Sequence, residues 1–422
     1  MDAANPETAA DAPRADWTRR TFASLARPNF RLFFLGQGVS LAGSWMASAA
    51  EAWLVYQLTG SKKLLGLTAA VSMLPLAFLA PLGGVLADRM PKRRILAMAS
   101  LLNAFISLVL AALVFDERVQ VWQVISLAAL SGCVFAIEMP VRQAFLVEMV
   151  GKESLLNAIS LNTFLFNITR VLGPGAAGFV ILLWGTTAWC FLIDGTSFLA
   201  VFAVLLAMRI PLEMKAPPEE GFRQRLVEGF RYVARAPGIK VLIALLVVSM
   251  LFGHPYLSQM AAFAEDDLRV GSLGYGLLLS ANGGGAVIGA LWLAGLSDAF
   301  NRRKLVLRMQ SLFGATLVGL SFVKAPHAAG LVMAAAGFSM VTFFSTSNAL
   351  IQADVPDALR GRVLGVWALV FGASLPAGQL LMGYVADRLG VPLSIRIGGA
   401  VCLVFPLLLS AARRTTAAPA LA

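Results

Sequence analysis

One short stretch of glycine, aspartate and basic residues decides the fold of this chain, because it occurs twice. The first copy reads Gly84-Val85-Leu86-Ala87-Asp88-Arg89-Met90-Pro91-Lys92-Arg93-Arg94, and a degraded copy reads Gly295-Leu296-Ser297-Asp298-Ala299-Phe300-Asn301-Arg302-Arg303-Lys304. Each copy follows a long apolar run, and the interval from Asp88 to Asp298 is half of the 422-residue chain. This spacing indicates one membrane-embedded unit that is used twice in parallel.

The composition places most of the chain in a membrane. Hydrophobic residues make up 58% of the sequence and charged residues 14%, and the mean hydropathy is +0.77. Soluble globular proteins carry charges at about a quarter of their positions. About twelve apolar runs reach the length of about 20 residues that a helix needs to cross the hydrocarbon core. Helices are the expected spanning form, because lipid offers backbone groups no partner outside the segment.

The apolar runs predict an all-α polytopic membrane protein with twelve transmembrane helices in two pseudo-symmetric six-helix bundles. The predicted spans are 31–58, 64–87, 94–115, 120–143, 155–183, 186–209, 240–263, 273–296, 304–323, 328–352, 362–386 and 392–412. The predicted organisation is a tail at 1–30, a bundle at 31–210, a linker at 211–239, a bundle at 240–412 and a tail at 413–422. The linker and both tails are expected in the cytoplasm.

Basic residues are clustered along the chain, whose net charge is +11. Clusters precede the first predicted span, follow the second and the eighth, and lie between the sixth and the seventh, whereas the other connections carry few. Basic loops stay on the cytoplasmic side of a membrane. The pattern therefore predicts a multi-pass protein of a bacterial inner membrane with both termini cytoplasmic, and it indicates topology instead of a nucleic-acid partner.

The sequence lacks the motifs that are typical of several other functions. The three cysteines lie far apart in apolar runs without metal-ligand spacing, so neither a disulfide framework nor a metal site is predicted. The sequence holds no G-x-x-x-x-G-K-[ST] motif, so ATP hydrolysis within the chain is not expected. The first 27 residues are polar and contain acids, so they are interpreted as a tail and not as a signal peptide.

The linker contains one amphipathic helical stretch. Phe222, Leu226, Phe230 and Val233 share a face there, and arginines fall largely elsewhere. Such a helix suits the cytoplasmic surface of a membrane, with basic groups toward anionic lipid head groups. The alternative, which we place first, is a helix that only ties the two bundles together.

Two six-span halves and a G-x-L-A-D-R-x-x-K-R-R loop resemble the major facilitator superfamily over nearly the whole chain, although Pro91 stands where that family usually has glycine. The resemblance implies a cytoplasmic gate formed by this loop and by its counterparts in the second half. A carboxylate at a helix end can pair with a guanidinium or cap a neighbouring helix, and either bond can be remade when the bundles move. The gate residues are predicted to be Gly84, Asp88, Arg89, Arg93, Asp298, Arg302 and Arg362. The alternative is that they are interfacial anchors.

Shorter segments narrow the resemblance to one branch of that superfamily. Residues 29–31, 36–37, 53–61 and 140–145 resemble the branch of bacterial enterobactin exporters and secretion permeases. Residues 170–178 are similar to the glycine-proline signature of proton-coupled exporters, in which Gly173, Pro174 and Gly178 are expected to let helices pack tightly. This similarity favours efflux as the direction of transport.

Ionisable residues within the predicted spans are candidate sites, because each costs several kcal/mol in lipid unless it faces a partner or water. The proton-coupling and cavity candidates are Glu51, Glu138, Arg142, Arg170, Asp194 and His254. Either Glu51 or Asp194 is predicted to pair with Arg170, as a switch that a proton or substrate would open. A static buried pair is the alternative for any one of them.

The remaining ionisable candidates have simpler interpretations. Glu138 and Arg142 are four residues apart, so they are expected to form a structural or gating pair on one helix face. His254 precedes Pro255 and is a lesser candidate for proton handling, since a lone histidine is more often a satisfied core group.

Aromatic and amide side chains supply candidates for lining a substrate cavity. They are Trp53, Tyr56, Tyr256, Asn282, Trp367 and Gln379. Lipid-facing or interfacial packing is the alternative for each of them.

Together these features predict a non-enzymatic secondary transporter that exports a medium-sized organic compound, either a siderophore or a drug-like molecule, in exchange for protons. It is expected to act as a monomer, without cofactor or metal, by alternating access. Import or facilitated diffusion of a small metabolite is the alternative within this class. A membrane-embedded enzyme is less favoured because the chain has only two histidines and no catalytic constellation at a membrane boundary. A receptor would not explain the repeated loop.

Overall fold

The computed structural model describes residues 22–208, 222–296 and 301–416, and every regular element in these ranges is helical. The predicted tail before residue 22, the linker segment before residue 222, Asp298 and the last six residues lie outside the described residues. Thirteen helices of three turns or more follow a short 3-10 turn at Ala23–Ala26 within the described part.

The first group of helices, α1–α6, precedes the linker. Their bounds are α1 Pro28–Thr59, α2 Lys62–Arg89, α3 Lys92–Phe115, α4 Val121–Gly151, α5 Ser154–Trp184 and α6 Ala188–Ala207. Helices α4 and α5 form one continuous helical stretch that is broken only at Gly151, whose φ of 66° and ψ of 174° are not helical. A positive φ costs glycine little because it has no Cβ. The break separates the two predicted spans on either side of it.

The second group, α8–α13, follows the linker helix. The bounds are α7 Phe222–Arg235 for the linker helix, then α8 Pro237–Asp267, α9 Gly271–Ala294, α10 Arg302–Leu320, α11 Pro326–Asp354, α12 Asp357–Leu389 and α13 Val391–Thr416. Ten of the helices in the described ranges are long and apolar enough to cross a membrane. Helices α1 and α10, with 32 and 19 residues, have the length but are more polar.

Helix packing repeats between the two groups. In the first group, α2 packs on α4, α1 packs on both α5 and α6, and α3 packs on α6. The corresponding helices of the second group pack in the same way: α9 packs on α11, α8 packs on both α12 and α13, and α10 packs on α13. Glycines allow these approaches: a Cβ on Gly83 would lie 2.7 Å from the Ile137 carbonyl oxygen, and one on Gly285 would lie 1.8 Å from that of Ala334. Small residues at helix crossings let membrane helices come this close.

Helix α8 is irregular over its second half. A π-helical turn at Ser249–Gly253 is followed by a 3-10 turn at His254–Leu257 and a second π-helical turn at Phe263–Asp267. Pro255 cannot donate a backbone hydrogen bond, which explains why regular helix stops near it. π-turns within helices occur frequently at functional sites.

The linker helix α7 packs against α12. Glu228 forms an ion pair with Arg362, and a Cβ on Gly229 would lie 2.6 Å from the Arg362 carbonyl oxygen. Val233 is buried in a hydrophobic cluster with residues of α8 and α12. These contacts attach α7 to the second group.

Candidate functional site

The two groups of helices meet along two helix pairs, α2 with α12 and α5 with α9. A Cβ on Gly66 would lie 2.3 Å from the Gln379 carbonyl oxygen, and one on Gly276 would lie 2.3 Å from that of Pro174. We call the two ends of the helices the Asp88 end and the Asp266 end, after the residues that lie there. Both contacts lie toward the Asp266 end, and the α2–α12 contact continues to mid-helix, where Gly372 faces Ala77.

Polar side chains join the groups at the Asp266 end. Asp266 on α8 accepts a hydrogen bond from the Tyr56 hydroxyl and forms an ion pair with Lys62, with Nζ and Oδ2 2.7 Å apart. Asp387 at the end of α12 accepts from the Ser61 hydroxyl at 3.1 Å and from the Lys62 backbone N–H at 3.0 Å. A carboxylate at this position also offsets the positive end of the α2 dipole. We call Tyr56, Lys62, Asp266 and Asp387 the lock cluster.

An aromatic stack lies beside the lock cluster. The rings of Trp53 on α1 and Tyr275 on α9 are nearly parallel, with centroids 5.5 Å apart. This stack is a further contact between the groups at the Asp266 end. The described side-chain contacts at this end are therefore hydrogen bonds, an ion pair and ring packing, which can be broken and remade when helix groups move.

We predict that Asp266→Ala shifts the protein toward conformations in which the Asp266 end is open. The change removes the partly exposed ion pair with Lys62, which contributes about 1 kcal/mol or less, and the hydrogen bond from the largely buried Tyr56, which as a bond to a charged group contributes about 1.5–3 kcal/mol. Spin labels at Lys63→Cys and Arg269→Cys, with the three native cysteines replaced, should show a new longer-distance component. Glu265→Ala is the matched control, because Glu265 is exposed and has no recorded partner among the described residues. Equal distance distributions for both variants would contradict the prediction.

A second polar cluster lies at mid-helix between the groups. Arg170 on α5 donates to Asn282 Oδ1 on α9 at 3.3 Å, and Asn282 Nδ2 donates to the Tyr256 hydroxyl at 2.6 Å and to the Met333 carbonyl oxygen at 3.1 Å. His254, within the irregular part of α8, lies in electrostatic reach of Arg170. We call Arg170, Tyr256, Asn282 and His254 the central cluster.

The predicted ion pair between Arg170 and an acid is wrong for this conformation. Asp194 on α6 is buried and accepts hydrogen bonds from Ser107 at 2.6 Å and from Ser44 at 3.3 Å. Its side chain faces α1 and α3, whereas Arg170 points across to α9 and lies 6.0 Å from the Trp45 ring. The residues lie at similar depth but on differently oriented helix faces, which depth alone does not predict.

Glu51 lies close to Asp194 and not to Arg170. The two carboxyl groups interact electrostatically, and Glu51 also lies in reach of Tyr275 on α9. Glu51 keeps some exposure, whereas Asp194 is buried. The two candidate acids thus lie within electrostatic range of each other in the first group, without a basic partner among the described residues.

Other predicted residues lie toward the Asp88 end. Glu138 and Arg142 form the i,i+4 ion pair that their spacing predicts, and Asn103 donates to Glu138 at 3.3 Å. Arg93 donates to the Met208 carbonyl oxygen, which ties α3 to the end of α6. Asp88 is half-buried and has no recorded partner in the described ranges.

The remaining predicted gate residues have separate surroundings. Arg89 is exposed, Arg302 begins α10, and Arg362 pairs with the linker helix as described above. Gly84 has open space beside it, and Gly83 makes the close approach to α4 instead. Among the described gate residues, Arg93 and Arg362 thus bond to different elements, whereas Asp298 lies outside the described residues.

The glycine-proline segment of α5 contacts both groups. A Cβ on Gly173 would lie 2.4 Å from the Trp45 Cβ on α1, and one on Gly178 would lie 2.5 Å from the Ser272 carbonyl oxygen on α9. Between them, the Pro174 carbonyl oxygen lies against Gly276. The tight packing predicted from this segment is present, and it joins α5 to the second group.

Most of the predicted lining residues are buried in contacts. Tyr256 and Asn282 belong to the central cluster, Tyr56 to the lock cluster and Trp53 to the aromatic stack. Gln379 accepts from Ser258 of α8, and Trp367 packs against Phe344 on α11.

Sequence reasoning missed Trp45 and the lock residues Lys62, Asp266 and Asp387. Charged residues near span ends are common, so no sequence signal distinguishes these from ordinary interfacial residues. Within the described residues, no group of three His, Cys, Asp or Glu side chains is arranged to hold a metal ion.

Comparison with known proteins gives both the fold and the family. Solved structures with the same fold include the nucleoside transporter NupG, at 12% identity and a TM-score of 0.70, with 91% of this chain and 98% of that chain covered. The D-xylose-proton symporter has a TM-score of 0.67 at 15% identity, over 89% of this chain and 97% of that one. At these identities the likeness concerns the fold alone.

Similar sequences of known function are transporters. The Staphyloferrin A transporter of Staphylococcus aureus is 24% identical over 87% of this chain and 92% of its own length. The multidrug efflux pump Tap of Mycolicibacterium fortuitum is 27% identical over 83% and 87%, and the macrolide efflux protein A of Streptococcus pyogenes is 25% identical over 86% and 90%. The family model for transmembrane secretion effectors matches residues 19–419. The chain therefore belongs to the transmembrane secretion effector family of the major facilitator superfamily and is a membrane transporter, not an enzyme.

Proposed function

We propose that the chain is a monomeric secondary transporter with twelve transmembrane helices in two six-helix bundles, α1–α6 and α8–α13. The repeated packing order of the two groups supports this count, and α1 and α10 complete it because each is long enough and packs as its counterpart does. In this proposal the Asp88 end, with both termini, faces the cytoplasm of a bacterial cell, and the basic clusters support that orientation. In that orientation the lock cluster closes the outer side.

The proposed activity is proton-coupled export of a medium-sized organic compound, either a siderophore or a drug-like molecule, without a cofactor. One observation carries it: the bundles are joined at the outer end by polar contacts that can break, as alternating access requires. The curated relatives named above are a siderophore transporter and efflux pumps, which supports export as the direction.

Glu51 and Asp194 are the proposed proton carriers. Each carboxyl group lies within the membrane-spanning part without a basic partner among the described residues, so its charged form is costly and binding of a proton stabilises it. Arrival of a proton from the outer side, and its loss to the inner side, would change how firmly α1 and α6 hold together. Asp88, Arg89 and Arg93, with Asp298, Arg302 and Arg362, are proposed to form the cytoplasmic gate when the inner ends approach.

Flux measurements in proteoliposomes test this function. We expect compound movement driven by an imposed pH gradient and abolished by a protonophore, across a panel that includes siderophores and hydrophobic cations. Asp88→Asn should slow the flux, since the gate would lose its carboxylate. If the flux does not depend on the pH gradient, facilitated diffusion, the second candidate function, is favoured. If the substrate and the proton move together in the same direction, import is favoured.

A further inference from the structure

The central cluster holds a positive charge that no acid in its surroundings balances. Arg170 makes one recorded side-chain hydrogen bond, to Asn282 at 3.3 Å, although a guanidinium has five N–H donors. The ring of Trp45 lies 6.0 Å away as its other recorded contact. Within the described residues, no Asp or Glu pairs with it, because Asp194 faces Ser107 and Ser44 instead. A charge at this depth is costly unless it finds a partner.

Two side chains near Arg170 also have hydrogen-bonding groups without a partner among the described residues, namely Tyr256 and His254. Asn282 has both recorded Nδ2 bonds directed away from Arg170, to Tyr256 and to Met333. The Tyr256 hydroxyl accepts one of these bonds, and no recorded acceptor in the described ranges takes its own proton. His254 Nδ1 is buried without a hydrogen-bond partner in the described part of the chain. The cluster thus offers several unused polar groups around one cation.

Its position suits a ligand that both bundles hold. Arg170 comes from the first bundle, whereas Tyr256, Asn282 and His254 come from the second, and Arg170 keeps partial exposure. The irregular turns of α8 place His254 and Tyr256 where a regular helix would present other side chains. Broken helices near the membrane midplane are the usual place for substrate sites in transporters.

We propose that the central cluster binds a carboxylate of the transported compound, with Arg170 as the charged donor and Tyr256 as a second donor. A guanidinium matches a carboxylate in a two-bond geometry, which compensates the charge and the unused donors together. The substrate class is therefore an organic anion. This inference rests on the proposed transport function and selects among its substrates: a hydrophobic cation would meet the like charge of Arg170.

Binding to the purified full chain in detergent tests the proposal without any flux. Citrate serves as the tricarboxylate probe and tetraphenylphosphonium as the cation probe, and affinity is measured by calorimetry and by tryptophan fluorescence, to which Trp45 contributes. We expect citrate to bind and Arg170→Gln to weaken it at least about tenfold, the effect of losing a hydrogen bond to a charged group. Arg170→Lys should weaken it less, because the charge remains while the two-bond geometry is lost.

Two further variants keep the test decisive. Tyr256→Phe removes only the hydroxyl and should weaken citrate by about tenfold or more, the effect of losing one hydrogen bond to a charged group, even if Arg170→Gln does not fold. Arg396→Gln is the matched control, since Arg396 is another arginine within a span whose contacts, Ser321 at 3.1 Å and the Phe322 ring at 3.9 Å, lie outside the central cluster. Citrate affinity unaffected by Arg170→Gln would overturn the proposal.

The outcome separates this inference from the proposed function. One outcome is gradient-driven flux of cations, together with binding of tetraphenylphosphonium and no binding of citrate. This outcome would overturn the proposed anion site but would leave the proposed transporter function supported. Citrate binding that depends on Arg170, without flux of any compound in proteoliposomes, would support the site and contradict the exporter.

Discussion

Gly285→Ala is expected to prevent the second bundle from packing, whereas Gly284→Ala is expected to leave the protein intact. The two glycines are adjacent in α9, so helix propensity changes equally in both variants. A Cβ on Gly285 would lie 1.8 Å from the Ala334 carbonyl oxygen and 2.5 Å from its carbonyl carbon, whereas a Cβ on Gly284 meets nothing within 4 Å. Only the first substitution therefore forces two helix backbones apart.

The expected loss of stability for Gly285→Ala is more than about 3 kcal/mol, the upper part of the range for overpacked interiors, because the obstacle is backbone and cannot rotate away. The same crossing contains Gly337, whose added Cβ would lie 1.9 Å from the Asn282 carbonyl oxygen. Separation of α9 from α11 would also strain the bond from Asn282 to Met333, and with it the central cluster.

Thermal unfolding and size-exclusion profiles of the detergent-purified variants measure this effect. Gly285→Ala should give a large fall in Tm or an aggregated profile, and Gly284→Ala a Tm within a few degrees of the parent protein. Similar Tm values for both variants would show that the α9–α11 crossing tolerates separation, contrary to the packing described here.

Glu51→Gln is expected to abolish coupling to the proton gradient while leaving exchange of substrate across the membrane. Gln keeps the size of the side chain and removes its titration, so the proposed proton carrier at this position no longer gains and loses a proton. Accumulation against a concentration gradient requires that titration, but substrate exchange at equal pH on both sides does not. We expect gradient-driven accumulation to fall to the level of protein-free vesicles.

Two comparisons make the coupling experiment specific. Asp194→Asn should behave as Glu51→Gln does if both carboxyl groups take part in the same proton transfer. Asp116→Asn is the control: Asp116 pairs with Arg118 at 3.2 Å on an exposed turn, where such pairs contribute little, so accumulation should be unchanged. Full accumulation by Glu51→Gln with exchange intact would assign the proton to another group.

Helix positions could be predicted from this sequence because length and apolarity decide them. The span predicted at 64–87 is observed as Lys62–Arg89, and that at 273–296 as Gly271–Ala294. The family resemblance drawn from the Asp88 loop is confirmed by the family model. The i,i+4 contact of Glu138 with Arg142 could also be predicted from the sequence, since one helix brings these residues together without tertiary information.

Contacts between helices could not be predicted in the same way. Depth placed Arg170 and Asp194 at similar levels, but the direction of each side chain depends on how α5 and α6 rotate against their neighbours. The lock cluster joins residues far apart in the chain, such as Tyr56 and Asp266, for which the sequence offers no pairing signal. Likewise Gly83, and not Gly84, faces α4, because a shift of one residue turns a helix by about 100°.

The two π-turns of α8 change the direction in which the side chains after them point. Each π-turn closes its hydrogen bond one residue later than an α-turn, so it takes up one additional residue and turns the following segment by about 100° relative to an uninterrupted helix. The turn at Ser249–Gly253 therefore sets the direction of Tyr256, and the turn at Phe263–Asp267 adjusts that of Asp266 again. Deletion of a single residue between Ser249 and Gly253 would convert the first turn to an α-turn and leave Tyr256 and Asp266 in their present directions, whereas deletion of a residue from a regular turn just before it would rotate both side chains around the helix axis. The π-turns are therefore the places where α8 absorbs a change of length without moving the central cluster or the lock cluster.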